Sequence, residues 1–142
     1  MSHGSRVALM LLFSVCACIK SKDECVVDRV AHDTLNAVPP GGMTQTSLTG
    51  CSTCDHVFAN AVWATPAIGE MATGNIKLEI DPSCFLAPLI VDKDVNDSLV
   101  AGDTNYRNCS DTVDYFASAK NESNVTVAFI NIELKCASVP VE

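Results

Sequence analysis

No apolar run in this chain is long enough to cross a bilayer, which takes about 20 residues. The longest, Val7–Ile19, falls short, so no membrane span is expected. Basic residues are scarce: 9 Lys and Arg stand against 17 Asp and Glu, for a formal net charge of −8. Nucleic acid and anionic membranes both select for positive surface, so neither is expected as a partner. There is no Gly-x-Ser-x-Gly elbow and no Gly-rich phosphate loop. His32-Asp33 and Asp55-His56 are neighbours in sequence, which does not orient an acid–base pair. Asp81, Asp111 and Asp114 make a carboxylate site only if folding gathers them. No catalytic residue is assigned, the chain is read as a non-enzyme, and no cofactor is implied.

The first residues carry an address. Arg6 gives a positive start, Val7–Val15 is apolar apart from Ser14, and the small residues Cys16, Ala17 and Cys18 follow. That is the grammar of a secretory signal peptide. A cut after Ala17 leaves seven cysteines, and a cut after Cys18 leaves six. Even counts are expected where secreted cysteines pair, so residues 1–18 are read as the signal. The remainder is one domain by length. It is large enough to bury a core, so crosslinks staple the fold and do not replace it.

The six remaining cysteines are Cys25, Cys51, Cys54, Cys84, Cys109 and Cys136. Cys51 and Cys54 lie in GCSTCDH. Zinc usually takes two close ligand pairs, but Cys84, Cys109 and Cys136 are solitary. A redox Cys-x-x-Cys follows a strand and opens a helix, and nothing after Cys54 resembles a capped helix. In an oxidising compartment all six are read as disulfide cysteines. They allow 15 connectivities, among which the sequence does not choose.

Asn-x-Ser/Thr occurs at Asn96, Asn108, Asn121 and Asn124. Four acceptors in one secreted chain mark it as a glycoprotein and predict solvated loops around Asn96 and Asn121. Cys109 occupies the middle of the Asn108 motif, where early disulfide formation blocks the transferase. The stretch Asp92–Asp103 spaces Asp92, Asp94, Asn96 and Asp103 like the ligands of a calcium loop. It has Asp97 where glycine belongs, no flanking helices, and a sugar acceptor as one ligand, so an acidic surface turn is the stronger reading.

Residues 19–50 read as an N-terminal extension and a Pro/Gly linker, and 51–142 as a β-rich disulfide-bonded domain. Val27, Val30, Ala31 and Leu35 recur at helical spacing, which allows one short N-terminal helix; a strand through Cys25–Val27 is equally allowed. Pro39–Gly42 is a breaker, and MTQTSLTG after it reads as loop. From Cys54 the texture is β. Ile76, Leu78 and Ile80 alternate with Lys77 and Glu79, the pattern of a half-buried strand. Pro88 inside CFLAPLIV predicts an edge strand or a break. In VTVAFINIELKC the apolar phase flips between Phe129 and Ile130, which requires a β-bulge or cover on both faces. Trp63, Phe85, Tyr115, Phe116 and Phe129 are expected in the core. Short strands with turns between them predict an antiparallel sandwich or barrel stapled by disulfides.

CSTCD, DPSCFLAPLIV and VTVAFINIELKC together resemble the six-cysteine secreted domains abundant in nematodes. That resemblance implies a disulfide-linked extracellular β module over Cys51–Cys136 and transfers no active site. The combined expectation is a secreted, glycosylated extracellular protein with a binding or structural role. Its partner is an unknown extracellular protein or small ligand. Two alternatives are a barrel-type carrier of a small apolar ligand and a calcium-dependent adhesive module.

Overall fold

The computed structural model describes residues 29–52, 56–106, 109 and 112–137. The strands are β1 (Arg29–Val38), β2 (Met43–Ser52), β3 (His56–Trp63), β4 (Gly74–Pro82), β5 (Leu89–Asp94), β6 (Leu99–Thr104), β7 (Thr112–Ser123) and β8 (Val127–Ala137). Sheet A has the order β1-β8-β3-β6 and sheet B the order β2-β7-β4-β5. Each ladder is antiparallel. Consecutive strands change sheet at every step except β4 to β5. Eight strands wound this way make a jelly-roll sandwich.

Period-2 burial builds the core. Ile76, Leu78 and Ile80 of β4 are buried, with Lys77 and Glu79 on the other face, as their alternation predicts. Val57, Ala59, Ala61 and Trp63 do the same in β3, and Ile130, Ile132 and Leu134 in β8. The Trp63 indole Nε1–H donates to Val95 O at 2.7 Å, so its one polar atom is satisfied inside the core. Pro88 directly precedes β5, an edge strand of sheet B, as expected. The phase flip in β8 has no register shift against β1, so no bulge makes it there. β1 instead breaks step: Ala37, between the pairs Asn36↔Phe129 and Val38↔Val127, has φ 51°. A left-handed residue reverses the pleat, and beyond it Val38 and Val127 are both buried.

Four expectations are corrected. The described part of 19–50 is neither extension nor linker, since β1 and β2 are integral strands paired with β8 and β7. The short helix is absent among the described residues: 29–38 is a strand. The sheets stay separate and do not close, and Trp63 and Tyr115 are buried in the core between them, so a barrel-type cavity is not formed from these side chains. Finally, Phe85, Phe116 and Phe129 are not core; Phe129 is only half-buried, on β8. Phe85 is fully exposed on the 83–88 loop and Phe116 is 52% exposed on β7.

The winding gives the sandwich two distinct ends. The β1–β2, β3–β4, β5–β6 and β7–β8 turns gather at one end, and the β2–β3, β4–β5 and β6–β7 connections at the other. Both described disulfides, Cys51–Cys136 and Cys84–Cys109, lie at the second end. A β-bulge positions the first. Two residues of β2, Thr49 and Gly50, face Asp114 alone, because the register shifts between Leu48 and Cys51. Gly50 takes φ 68° and its N–H donates to Asp114 Oδ1 at 2.8 Å. The extra residue turns Cys51 inward, where it reaches Cys136 of the opposite sheet.

Candidate functional site

The acceptor asparagines divide sharply. Asn121 is fully buried. Its amide Nδ2 donates to Val38 O at 3.0 Å and Val125 O at 2.8 Å, and its Oδ1 accepts from Ser123 N and Ser123 Oγ. Its backbone also exchanges hydrogen bonds with Gly41 and Gly42. A sugar is attached at Nδ2, so this fold excludes a glycan there, and the expected solvated loop at Asn121 is corrected to a buried clamp. Asn96 is exposed, but its Nδ2 donates to both Ala72 O and Asp94 Oδ1, so a sugar displaces one of these bonds. Asn124 is exposed, donates to Met71 O at 3.1 Å and accepts from Thr73 N at 2.8 Å. Asn108 lies outside the described residues.

The calcium spacing does not survive folding. Asp92 and Asp94 are on β5 of sheet B, whereas Asp103 is on β6 of sheet A. The Asp94 carboxylate accepts from Asn96 N and Nδ2, both at 2.9 Å, which builds the turn and holds its pKa below the ordinary aspartate value. Asp103 lies 3.8 Å from His56 Nδ1. Among the described residues no three His, Cys, Asp or Glu side chains come together as a metal set.

Cys51 pairs with Cys136 and so is neither a zinc ligand nor half of a redox couple with Cys54. Cys25 and Cys54 lie outside the described residues, as does Asp111. Asp114 is taken up by the bulge, and the three-carboxylate grouping does not arise from Asp81 and Asp114 alone. Among the described residues His56–Asp103 is the one histidine–carboxylate contact, on the outer side of sheet A and partly exposed.

What the sequence did not flag is the outer face of sheet B. Three cross-strand rows run over β2, β7 and β4: Met43↔Lys120↔Lys77, Gln45↔Ser118↔Glu79, and Ser47↔Phe116↔Asp81. Their side chains, Ser47 apart, line a cleft of ≈ 330 Å³. Lys77 and Lys120 are directly opposed, an arrangement that repels. Lys77 is compensated by Glu122 at 3.6 Å, and Glu79 stands in the next row. The available signal was parity: Phe116 has the opposite phase to buried Val113, Tyr115, Ala117 and Ala119 on the same strand.

No protein-family model and no curated protein matches the sequence. Among solved structures, a Yersinia pseudotuberculosis-derived mitogen is similar at 14% identity, covering 82% of this chain and 91% of that one, with a TM-score of 0.39. A Bacillus endospore appendage, of a family of disulfide-linked pili, is similar at 8% identity over 80% of this chain and 88% of that one, TM-score 0.35. A family two carbohydrate esterase from Cellvibrio japonicus is similar at 8% identity, covering 81% of this chain and 37% of that one, TM-score 0.35.

Proposed function

We propose that this chain is a secreted, N-glycosylated extracellular protein that works by binding and not by catalysis. The observation that carries binding is the cleft across β2, β7 and β4. It is a solvent-facing surface on rigid strands, with an aromatic ring placed where it packs against nothing in the core. The disulfides support the extracellular address, because such bonds persist in oxidising compartments. The cysteine pattern that resembles secreted six-cysteine domains points the same way, as do the signal-like residues 1–18. Glycans on Asn124 and Asn96 would shield the end of the sandwich opposite the disulfides.

Expression of the full chain in secreting eukaryotic cells tests the address. The expected product is in the medium, begins after Cys18 and loses mass on treatment with an N-glycosidase. Material retained in the cell, still carrying Met1 and no sugar, contradicts the proposal.

A further inference from the structure

The open face of sheet B offers a more specific reading, which rests on the binding role proposed above. We propose that this face binds an uncharged saccharide of more than one ring, with Phe116 as its stacking platform.

Phe116 is 52% exposed at the middle of β7. A large ring left in water on a strand face contributes no core packing. Its flat face carries negative quadrupole density, which attracts the weakly positive C–H bonds on one side of a pyranose ring. Around it the polar groups are of mixed kind. Lys77 and Lys120 donate, Glu79 and Asp81 accept, and Gln45 does both. Hydroxyl groups also do both, so a polyol satisfies such a set without meeting a single-sign field.

A charged ligand fits less well. An anion on the two lysines meets Glu79 and Glu122 in the adjacent rows, and a cation on the acids meets the lysines. An extended peptide adds to a sheet by pairing with the free backbone groups of an edge strand, whereas the groups assembled here are side chains on the face of sheet B, centred on the inner strand β7. The scale is suitable: rows two residues apart are separated by roughly 7 Å, so Phe116 to Lys120 spans about 13 Å, enough for adjacent rings. Asn96 and Asn124 sit in turns, so neither attachment point is on this face.

The test uses the secreted, disulfide-bonded full chain. Neutral oligosaccharides of glucose, mannose, galactose and N-acetylglucosamine are screened on a glycan array beside sialylated and sulfated ones. Hits are titrated in solution by calorimetry. Binding of at least one neutral oligosaccharide is expected, with affinity reduced about tenfold or more in Phe116→Ala and retained in Phe116→Tyr. Gln45→Asn, which with Ser47 creates a new acceptor on the face, should abolish binding once glycosylated. Leu99→Ala, an exposed apolar position on β6 of the opposite sheet, should not change it. Because Phe116 is exposed, its variants should keep the parent's thermal midpoint, which checks folding. No neutral ligand at millimolar concentration, binding only to acidic sugars, or binding that survives Phe116→Ala each overturns the proposal. Failure in properly secreted protein removes the saccharide assignment alone. Failure of the underlying address appears instead as unprocessed, unglycosylated chain.

Discussion

Asn121 shows how a short motif can carry two opposite meanings. As sequence it is a sugar acceptor; as structure it is a buried clamp that fastens the β1–β2 turn to the β7–β8 turn. Replacing it by alanine takes the amide donor from Val38 O and the acceptor from Ser123 N, while Val125 O keeps only Ser123 Oγ, and replacing it by aspartate adds a buried charge as well. Unsatisfied buried groups cost about 1–3 kcal/mol each. Asn121→Ala should therefore lower stability by roughly 2–5 kcal/mol in chemical denaturation, and Asn121→Asp by more. A loss under about 0.5 kcal/mol, the range of an ordinary surface change, contradicts the clamp. Asp94 gives a pH prediction. Hydrogen bonds from the backbone and side chain of Asn96 lower its pKa in the folded state. Its contribution is thus complete above the unfolded value, near 4, and is lost as pH falls through the lowered folded value. Protection of the Asn96 amide, its exchange relative to the unfolded chain at the same pH, should fall below about pH 4, and Asp94→Ala should remove that step. An Asn96 amide indifferent to acid speaks against this.

At the level of elements, legibility followed the contrast between faces. β4 was readable because Ile76, Leu78 and Ile80 alternate with charges. β3 was less so. Its buried face includes Ala59 and Ala61, while Phe58 and Val62 lie on the outer one, so the apolar residues of this stretch show no alternation to read. β2 read as loop because its buried positions include Thr44, whose small hydroxylated side chain carries little apolar signal. The bulge at Thr49-Gly50 was equally hidden, though it decides that Cys51 faces Cys136. The two crosslinks should differ in worth. Cys51–Cys136 closes 85 residues and Cys84–Cys109 closes 25. In the chain-entropy limit these are worth about 4.5 and 3.5 kcal/mol. Replacing each pair by alanine should cost more for the first, which is also the more buried. Equal or reversed losses in urea unfolding would show that native-state packing, not loop closure, sets the difference.

For the whole molecule, the all-β class was open to reading, whereas the topology was not. Strand order in a jelly roll depends on pairings such as β1 with β8, nearly a hundred residues apart in places, which no local pattern encodes. The face proposed to bind was unreadable for the same reason: Gln45, Glu79 and Phe116 become neighbours only when β2, β7 and β4 align. Topology also accounts for the division of labour proposed here, with crosslinks at one end, sugar acceptors at the other and an open sheet between. Non-reducing peptide mapping of the secreted protein tests that division most directly. It should recover Cys51 joined to Cys136, Cys84 joined to Cys109, sugar on Asn124, and bare Asn121. Free thiols at these four cysteines, or a glycan on Asn121, would contradict it.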